Sequence, residues 1–411
     1  MLSTVICTLL TLAVAPQKLA ADWPQWRGPA RDGCSAERGL LQEWPAEGPK
    51  QLWRSDELGL GYAGLAVVGD EAFTLGLFGS KEFVVCLDVQ TGKQRWSVEA
   101  GPEYKNAFGD GPRSTPTVVG NAVYALTGSG HLVKVPRAGG KVAWKVRLVE
   151  DLGGAVPEWG YCESPLVVDE LVVCTPGGSD GTLAALDART GKVRWRSKEV
   201  TEGAQYASPI LVAHSKGPQI VQLVMNQVFA VEPERGKRLW TAEFPGRTAV
   251  IPTPVHEAGV VYVTAGYGVG SAAFRIAPDG RSVTEVYRNR VMKNHHGGVV
   301  RVGAHIYGHS EGPGWMCQDW ATGAEVWSER GFGKGAIHYA DGRLYCLDER
   351  TGEVVLVEAA PTGWKVHGRF TPSTLSSRRS REGGVWTHPI VAGGRLFVRD
   401  QELLYCFDVR R

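Results

Sequence analysis

The chain has 411 residues, 43% of them hydrophobic and 21% charged, with a formal net charge of +2 at pH 7. That is enough apolar material for a full core. The charge is too even for a polyanion such as nucleic acid to be the main partner, because phosphate binding needs a concentrated basic surface.

Composition also carries a structural hint. The 53 glycines and 14 tryptophans predict many tight turns between short strands that share large aromatic anchors.

Residues 1–21 read differently from the rest. An apolar run from Leu2 to Ala15 is followed by PQKLAAD. The run is short for a membrane span, so a signal peptide cleaved near Ala20 or Ala21 is predicted, with export to the periplasm or the extracellular space. The segment before the apolar run has no Lys or Arg, which leaves a retained N-terminal anchor as the alternative. No later stretch is apolar enough to span a bilayer.

Residues 22–49, opening with DWPQWRGPARDG, are expected to form an N-terminal arm, and residues 50–411 the body. Of the eight cysteines, seven remain once Cys7 leaves with the leader. An odd count argues against a complete disulfide framework. Cys86, Cys317, Cys346 and Cys406 recur in VCLD, MCQD, YCLD and YCFD, and are expected to act as small buried hydrophobes. There is no CxxC pair, and no Cys/His spacing that suits zinc.

The body spells one phrase repeatedly. CLDVQTGKQRW ends at Trp96, VPRAGGKVAW at Trp144, ALDARTGKVRW at Trp195, VEPERGKRLW at Trp240 and CQDWATGAEVW at Trp327. LWR at residues 52–54 looks like the tail of another copy. Tyr287 takes the anchor position in TEVYRNR, and a shifted version surrounds Trp364. The anchors recur about every 37 to 51 residues, which suits a four-stranded propeller blade.

Ahead of most copies stands a second phrase, such as STPTVVGNAVYAL or ESPLVVDELVVC: two apolar strands about a Gly, Asp or Asn turn, a hairpin signal. In D-x-x-T-G the Asp can bond the turn backbone and the Gly can take a positive φ. The anchors Trp96, Trp144, Trp195, Trp240 and Trp327 are expected to be buried between blades.

The predicted fold is therefore all-β: an eight-bladed propeller of four-stranded blades. Seven blades start near Gly61, Arg113, Glu163, Ala207, Pro252, His296 and Lys334. The eighth, residues 385–408, lacks its outer strand, and KQLWRS at residues 50–55 is that strand without a body. Closure of the ring by the N-terminal strand would satisfy both edges.

With these residues in view, the chain resembles the PQQ-like (pyrroloquinoline quinone-like) repeat propeller superfamily, which contains quinone-dependent alcohol dehydrogenases and BamB-like assembly scaffolds. DWPQWRGP and KNHHGG are similar to a group of secreted bacterial proteins known by that repeat. The resemblance implies fold more than activity, because the repeated residues are structural. The quinone enzymes of the family carry two adjacent cysteines on one face of the cofactor, a tryptophan on the other, and carboxylates that hold calcium. This chain has no Cys-Cys pair and little length for the insertions those enzymes carry.

A candidate site follows from topology. The loop before each inner strand and the loop between the second and third strands open on one face, the entry face, while the D-x-x-T-G turns are expected on the opposite face. Residues just ahead of the inner strands gather round the channel: Arg113, Glu163, Gln205 with Tyr206, Arg247, His295 with His296, Lys334, and Trp386 with His388. Arg can grip a carboxylate and aromatics can stack on a planar or sugar ring. Because propeller channels are solvent-filled, part of this set is expected only to hydrate the channel. Adjacent histidines on a strand point apart, so no metal is expected between His295 and His296. His309, Ser310 and Glu311 match a catalytic triad in composition only.

The expected function is an exported scaffold, monomeric, binding a small anionic or hydroxylated ligand or a protein partner at the entry face. No cofactor is expected. The alternative is a quinone-dependent alcohol dehydrogenase using PQQ with calcium.

Overall fold

The computed structural model describes residues 22–411; the expected leader at residues 1–21 lies outside the described residues. No helix occurs among the described residues. The strands form eight sheets, each with four antiparallel strands, and the sheet of blade 7 gains a short fifth strand that runs parallel. Blades 1 to 7 span residues 66–102, 117–147, 166–196, 210–243, 255–289, 299–329 and 335–370, and blade 8 holds residues 390–408.

The outer strand of blade 8 is Lys50–Ser55, which pairs antiparallel with Leu403–Asp408 and places Trp53 opposite Cys406. The two ends of the ring are thus joined in one sheet, and neither edge is left open. A second lock crosses the same seam. Arg399 in blade 8 is wholly buried and donates to Gly59 O and Ala63 O just ahead of blade 1 and to Leu75 O and the Thr74 hydroxyl within it.

The repeated phrase builds each turn and each interblade contact. In blade 1, Asp88 Oδ1 accepts from the backbone N–H of Gln90 and Thr91 and from the Thr91 hydroxyl. Gly92 then takes φ 71°, open to glycine at no steric cost. It also lies flat against Trp53 of blade 8, where a Cβ would come within 2.5 Å of the indole. Gly139 meets Trp96 in the same way, Gly191 meets Trp144, and Gly323 meets Tyr287. Several anchors also donate their indole N–H to the next blade: Trp53 to Val89 O, Trp144 to Ala188 O and Trp195 to Pro233 O.

Of the expected buried anchors, Trp195 and Trp240 are buried, whereas Trp96, Trp144 and Trp327 are half-buried. The outer strand lies at the rim of the disc, so one indole edge there can reach solvent. The cysteines of the YCLD-like phrases are buried as free thiols, and all seven described cysteines are free.

One copy of the phrase is displaced. In blade 7 the turn DERTGE falls between the second and third strands, Arg343–Asp348 and Val354–Glu358. It therefore lies on the entry face, which corrects the expectation that all D-x-x-T-G turns lie opposite. Its consequence is Glu349, described below.

The arm corrects the expectation of a solvent-filled channel. Trp23 forms an antiparallel bridge with Val67, and Asp22 accepts from Gly69 N at the turn face of blade 1. The chain thus rises inside the channel from the turn face. It bends through residues 25–33 and descends as Cys34–Ser35, parallel to the inner strand Gly335–Ala340 of blade 7. Pro24 O accepts from Val118 N of blade 2, and Trp26 donates to Thr253 Oγ1 of blade 5 at 2.8 Å. Arg27 donates to Val299 O of blade 6, and Arg31 to Pro165 O of blade 3 and Pro209 O of blade 4. Gly394 N of blade 8 donates to Glu37. The arm thereby contacts the inner wall of every blade. Burial lowers both guanidinium pKa values, that of Arg31 to about 9, yet main-chain carbonyls supply the acceptors that a buried cation requires.

Candidate functional site

With the arm in place, the channel is closed from below and the entry face is a shallow funnel. The tip of the arm, Pro29 and Ala30, is exposed. A narrow cleft inside the channel is lined by Trp23, Trp26, Arg27, Thr115, His338 and His388 among others. It lies beneath the open face rather than on it.

Around the funnel the predicted residues divide into three groups. The first is a charged cluster. His296 Nε2 lies 2.7 Å from Glu349 Oε2, and Lys334 Nζ lies 3.0 Å from Glu349 Oε1. Burial alone would raise the Glu349 pKa, but His296 and Lys334 outweigh it and hold the carboxyl at about 2. His388 lies beneath this cluster: its Nε2 is 2.8 Å from His296 O, and its ring packs 4.7 Å from Trp26 of the arm. Burial, reinforced by Arg27, pushes the His388 imidazole down to about 3.

The second group is a row of rings. His296 lies 5.6 Å from Trp386, Trp386 6.3 Å from Phe108, Phe108 6.3 Å from Trp159, and Trp159 5.5 Å from Tyr206. Tyr62 backs Trp386 at 5.0 Å. Arg113 stacks over Tyr104 at 4.7 Å and Tyr62 at 5.3 Å, and donates to Gly109 O and Gly111 O. It thereby holds the loop that carries Phe108.

The third group is on the far side. His295 Nε2 lies 2.7 Å from Glu311 Oε1, its ring meets Tyr267 at 4.5 Å, and Gly268 N donates to Glu311 Oε2. Burial pushes the His295 imidazole down in spite of Glu311. The two adjacent histidines meet different carboxylates, but they lie in the loop ahead of Val299–Val302 and not on a strand, so the expected strand alternation is not the cause. Arg247 is exposed near Gly268, and Gln205 accepts from Val250 N.

Glu163 is placed inside, at 1% exposure, instead of on the open rim. Its carboxylate accepts from Thr175 N and the Thr175 hydroxyl, and burial raises its pKa to about 7 despite those bonds and Arg31.

Glu311 was visible in the sequence only as part of a triad-like composition, and Glu349, Tyr267, Phe108 and Trp159 were not marked at all. The displaced DERTGE turn was the available signal for Glu349. Phe108 and Trp159 sit on interblade loops with no repeat to mark them.

The residues present do not fit PQQ with calcium, the pair that the resemblance implies. Among the described residues no group of three or more His, Cys, Asp or Glu side chains could hold a metal ion. Glu163 and Glu349 are already bonded, no cysteines are adjacent, and the arm fills the axis.

Fold and site together define a closed, axially plugged eight-bladed propeller with a polar and aromatic entry face. The family model described as outer membrane protein assembly factor BamB matches residues 80–329, more than half of the chain, and the chain belongs to that family.

Two curated relatives carry that same description. The one from Bordetella pertussis is 29% identical over 138 residues, covering 34% of this chain and 31% of the relative; the one from Burkholderia pseudomallei is 27% identical over 169 residues, covering 39% and 35%. The matched stretch is thus about a third of the length of each relative.

Among solved structures, BamB from Moraxella catarrhalis is similar at TM-score 0.60 and 14% identity, covering 88% of this chain and 99% of that one. Quinohemoprotein alcohol dehydrogenase from Comamonas testosteroni is similar at TM-score 0.67 and 13% identity, covering 95% and 81%. At such identities these likenesses speak for the fold alone. No helix among the described residues is long and apolar enough to cross a membrane.

Proposed function

We propose that the protein is an exported scaffold that holds a ligand or a protein partner on its entry face, acting in the periplasm or outside the cell. The observation that carries this reading is convergence. Arg113, Tyr206, His295, His296, Lys334 and Trp386 come from five separate blade entries, yet they gather at one face above a plugged axis. The BamB relatives, whose description is that of assembly factors, support binding over catalysis. Glu163 and His388 serve this face from beneath, and Arg247 and Gln205 extend its edge.

Photo-crosslinking in the native host tests the reading. A photoreactive residue at Trp386 is expected to capture a defined adduct, while one at Lys237, in the turn-face phrase VEPERGKRLW, captures none. No adduct from the entry face, or equal capture from both, overturns it.

The alternative, a quinone-dependent alcohol dehydrogenase, finds no support in the donor set. Titration with PQQ and calcium is expected to give no saturable binding. Saturable binding with alcohol-dependent dye reduction would restore that alternative.

A further inference from the structure

We propose that the aromatic cluster of the entry face is a saccharide site, at which a pyranose ring stacks on exposed Phe108 between the inclined rings of Trp386 and Trp159 while the His296–Glu349–Lys334 cluster receives hydroxyls of the chain. This rests on the reading of the entry face as a binding surface and names the ligand class.

Three observations lead there. The first is exposure. Phe108, at 37%, is the one aromatic among the exposed large hydrophobics of the described residues, and half-buried Trp386 and Trp159 flank it. Exposing rings in a row costs solvation that a folded chain would otherwise recover, so a contiguous set marks a surface kept for a partner. Phe108 lies at 81° to Trp159 and 38° to Trp386, so the three rings frame one sugar ring at an angle and do not form a flat row.

The second is what the indoles do. Trp53, Trp144, Trp195 and Trp327 spend their N–H on a carbonyl of the next blade. The indole N–H groups of Trp386 and Trp159 donate to no acceptor among the described residues. A pyranose offers what that pair needs: an apolar C–H face for the ring and hydroxyl acceptors for the N–H.

The third observation separates a saccharide from a polypeptide. An extended peptide binds by adding to unspent main-chain groups. Here several of the carbonyls around the rings are taken. Phe108 O accepts from the Tyr62 hydroxyl, Glu158 O from the Tyr104 hydroxyl and Asn106, Gly109 O and Gly111 O from Arg113, and His296 O from His388. The surface left to a ligand is made of side chains: ring faces, an ammonium, an imidazole and a carboxylate.

The test is affinity electrophoresis of the folded chain through gels holding a neutral glucan (hydroxyethyl cellulose) or a polyuronate (polygalacturonate), followed by calorimetry with the matching hexasaccharide. Retardation by one of them is expected. Trp159→Ala and Phe108→Ala should each weaken binding about tenfold, and Phe108→Tyr, which keeps the ring, should bind as the parent does. Both residues lie on loops outside the strands, and unchanged far-UV circular dichroism checks that the variants fold. Loss of polygalacturonate binding in Lys334→Ala would assign an anionic chain; glucan binding indifferent to that change would assign a neutral one.

Absence of retardation by either polymer overturns the proposal, as does retardation indifferent to Trp159→Ala and Phe108→Ala. So does a proline-rich peptide that binds with the same residue dependence while neither polymer does. Crosslinked adducts at Trp386 without saccharide binding would leave the scaffold reading standing and remove this one.

Discussion

Gly236 of blade 4 lies flat on Trp195 of blade 3: a Cβ at the glycine would come 2.2 Å from Trp195 Cε3. The same glycine has φ 67°, where a side chain is strained on its own account. Two reasons for one residue type thus coincide, and the repeated phrase carries both halves of an interblade contact, a glycine facing back and a tryptophan facing forward. Gly236→Ala is expected to destabilise the fold by about 1–3 kcal/mol through overpacking and backbone strain. Trp195→Ala, which removes the other half, is expected to cost about 3–5 kcal/mol. Urea unfolding midpoints measure both. A midpoint for Gly236→Ala equal to the parent's would show that the contact can yield without cost.

The same pair explains how much of the fold was legible. Turn, anchor and hairpin recur, so blade number and ring closure could be read from spacing, down to the pairing of Lys50–Ser55 with the last strand. The arm has no repeat, and its burial depends on Arg27 and Arg31 meeting carbonyls of three other segments, a relation with no local signature. The entry-face residues of the blades were legible as positions but not as partners. His296 could be placed on the rim, whereas Glu349 could not, because its blade displaces the turn phrase by one strand.

Arg399 turns that closed ring into a testable seam. Its side chain has no carboxylate partner: Nε donates to Gln401 O of its own blade, and the two terminal nitrogens donate across the seam to oxygens in and just ahead of blade 1; burial lowers its pKa to about 9, so it stays charged at neutral pH. Arg399→Met leaves several buried acceptors without donors, at about 1–3 kcal/mol each. A loss of at least about 3 kcal/mol is expected, with hydrogen exchange rising first in blades 1 and 8. Arg399→Lys should recover only part, because an ammonium cannot reach acceptors spread across a planar fork. Uniform exchange in all eight blades would contradict a seam-specific role.

Acid should weaken the fold through its buried imidazoles. His338 is 1% exposed, and burial together with Arg27 and His388 pushes it down to about 3. Its Nε2 accepts from Val391 N, which requires the neutral ring. Trp23 and Tyr345 pack on its faces. A depressed folded pKa means that the contribution is present above the unfolded value near 6.5 and is lost as pH falls toward about 3. Glu163 has the opposite sign. Its pKa is raised to about 7, so its contribution is present below the unfolded value near 4.5 and is lost as pH rises through about 7. Thermal midpoints should therefore fall below pH 6.5, and His338→Gln should flatten that acid limb even though it lowers stability at neutral pH. An unchanged acid limb in this variant would assign the loss to other groups.

The arm and the entry face meet at Trp26. Its ring lies 4.7 Å from the His388 imidazole, its N–H is held by Thr253, and His388 Nε2 in turn holds His296 O. A chain of three contacts thus runs from the channel plug to the residue that faces Glu349. Trp26→Phe should preserve the plug, because an aromatic ring still fills the space and Arg27 and Arg31 remain bonded to the wall. Trp26→Ala removes the ring that keeps water from His388. The dominant cause of the depressed His388 pKa is burial, so admission of water should raise it toward the ordinary histidine value. Imidazole proton and nitrogen shifts followed against pH measure this directly. The expected outcome is a rise at His388 in Trp26→Ala, none in Trp26→Phe, and a loosened His296 loop in the first variant alone, seen as faster exchange of the Gly297 and Gly298 amides. If His388 titrates identically in all three proteins, the arm seals the channel without supporting the site above it, and the two parts act independently.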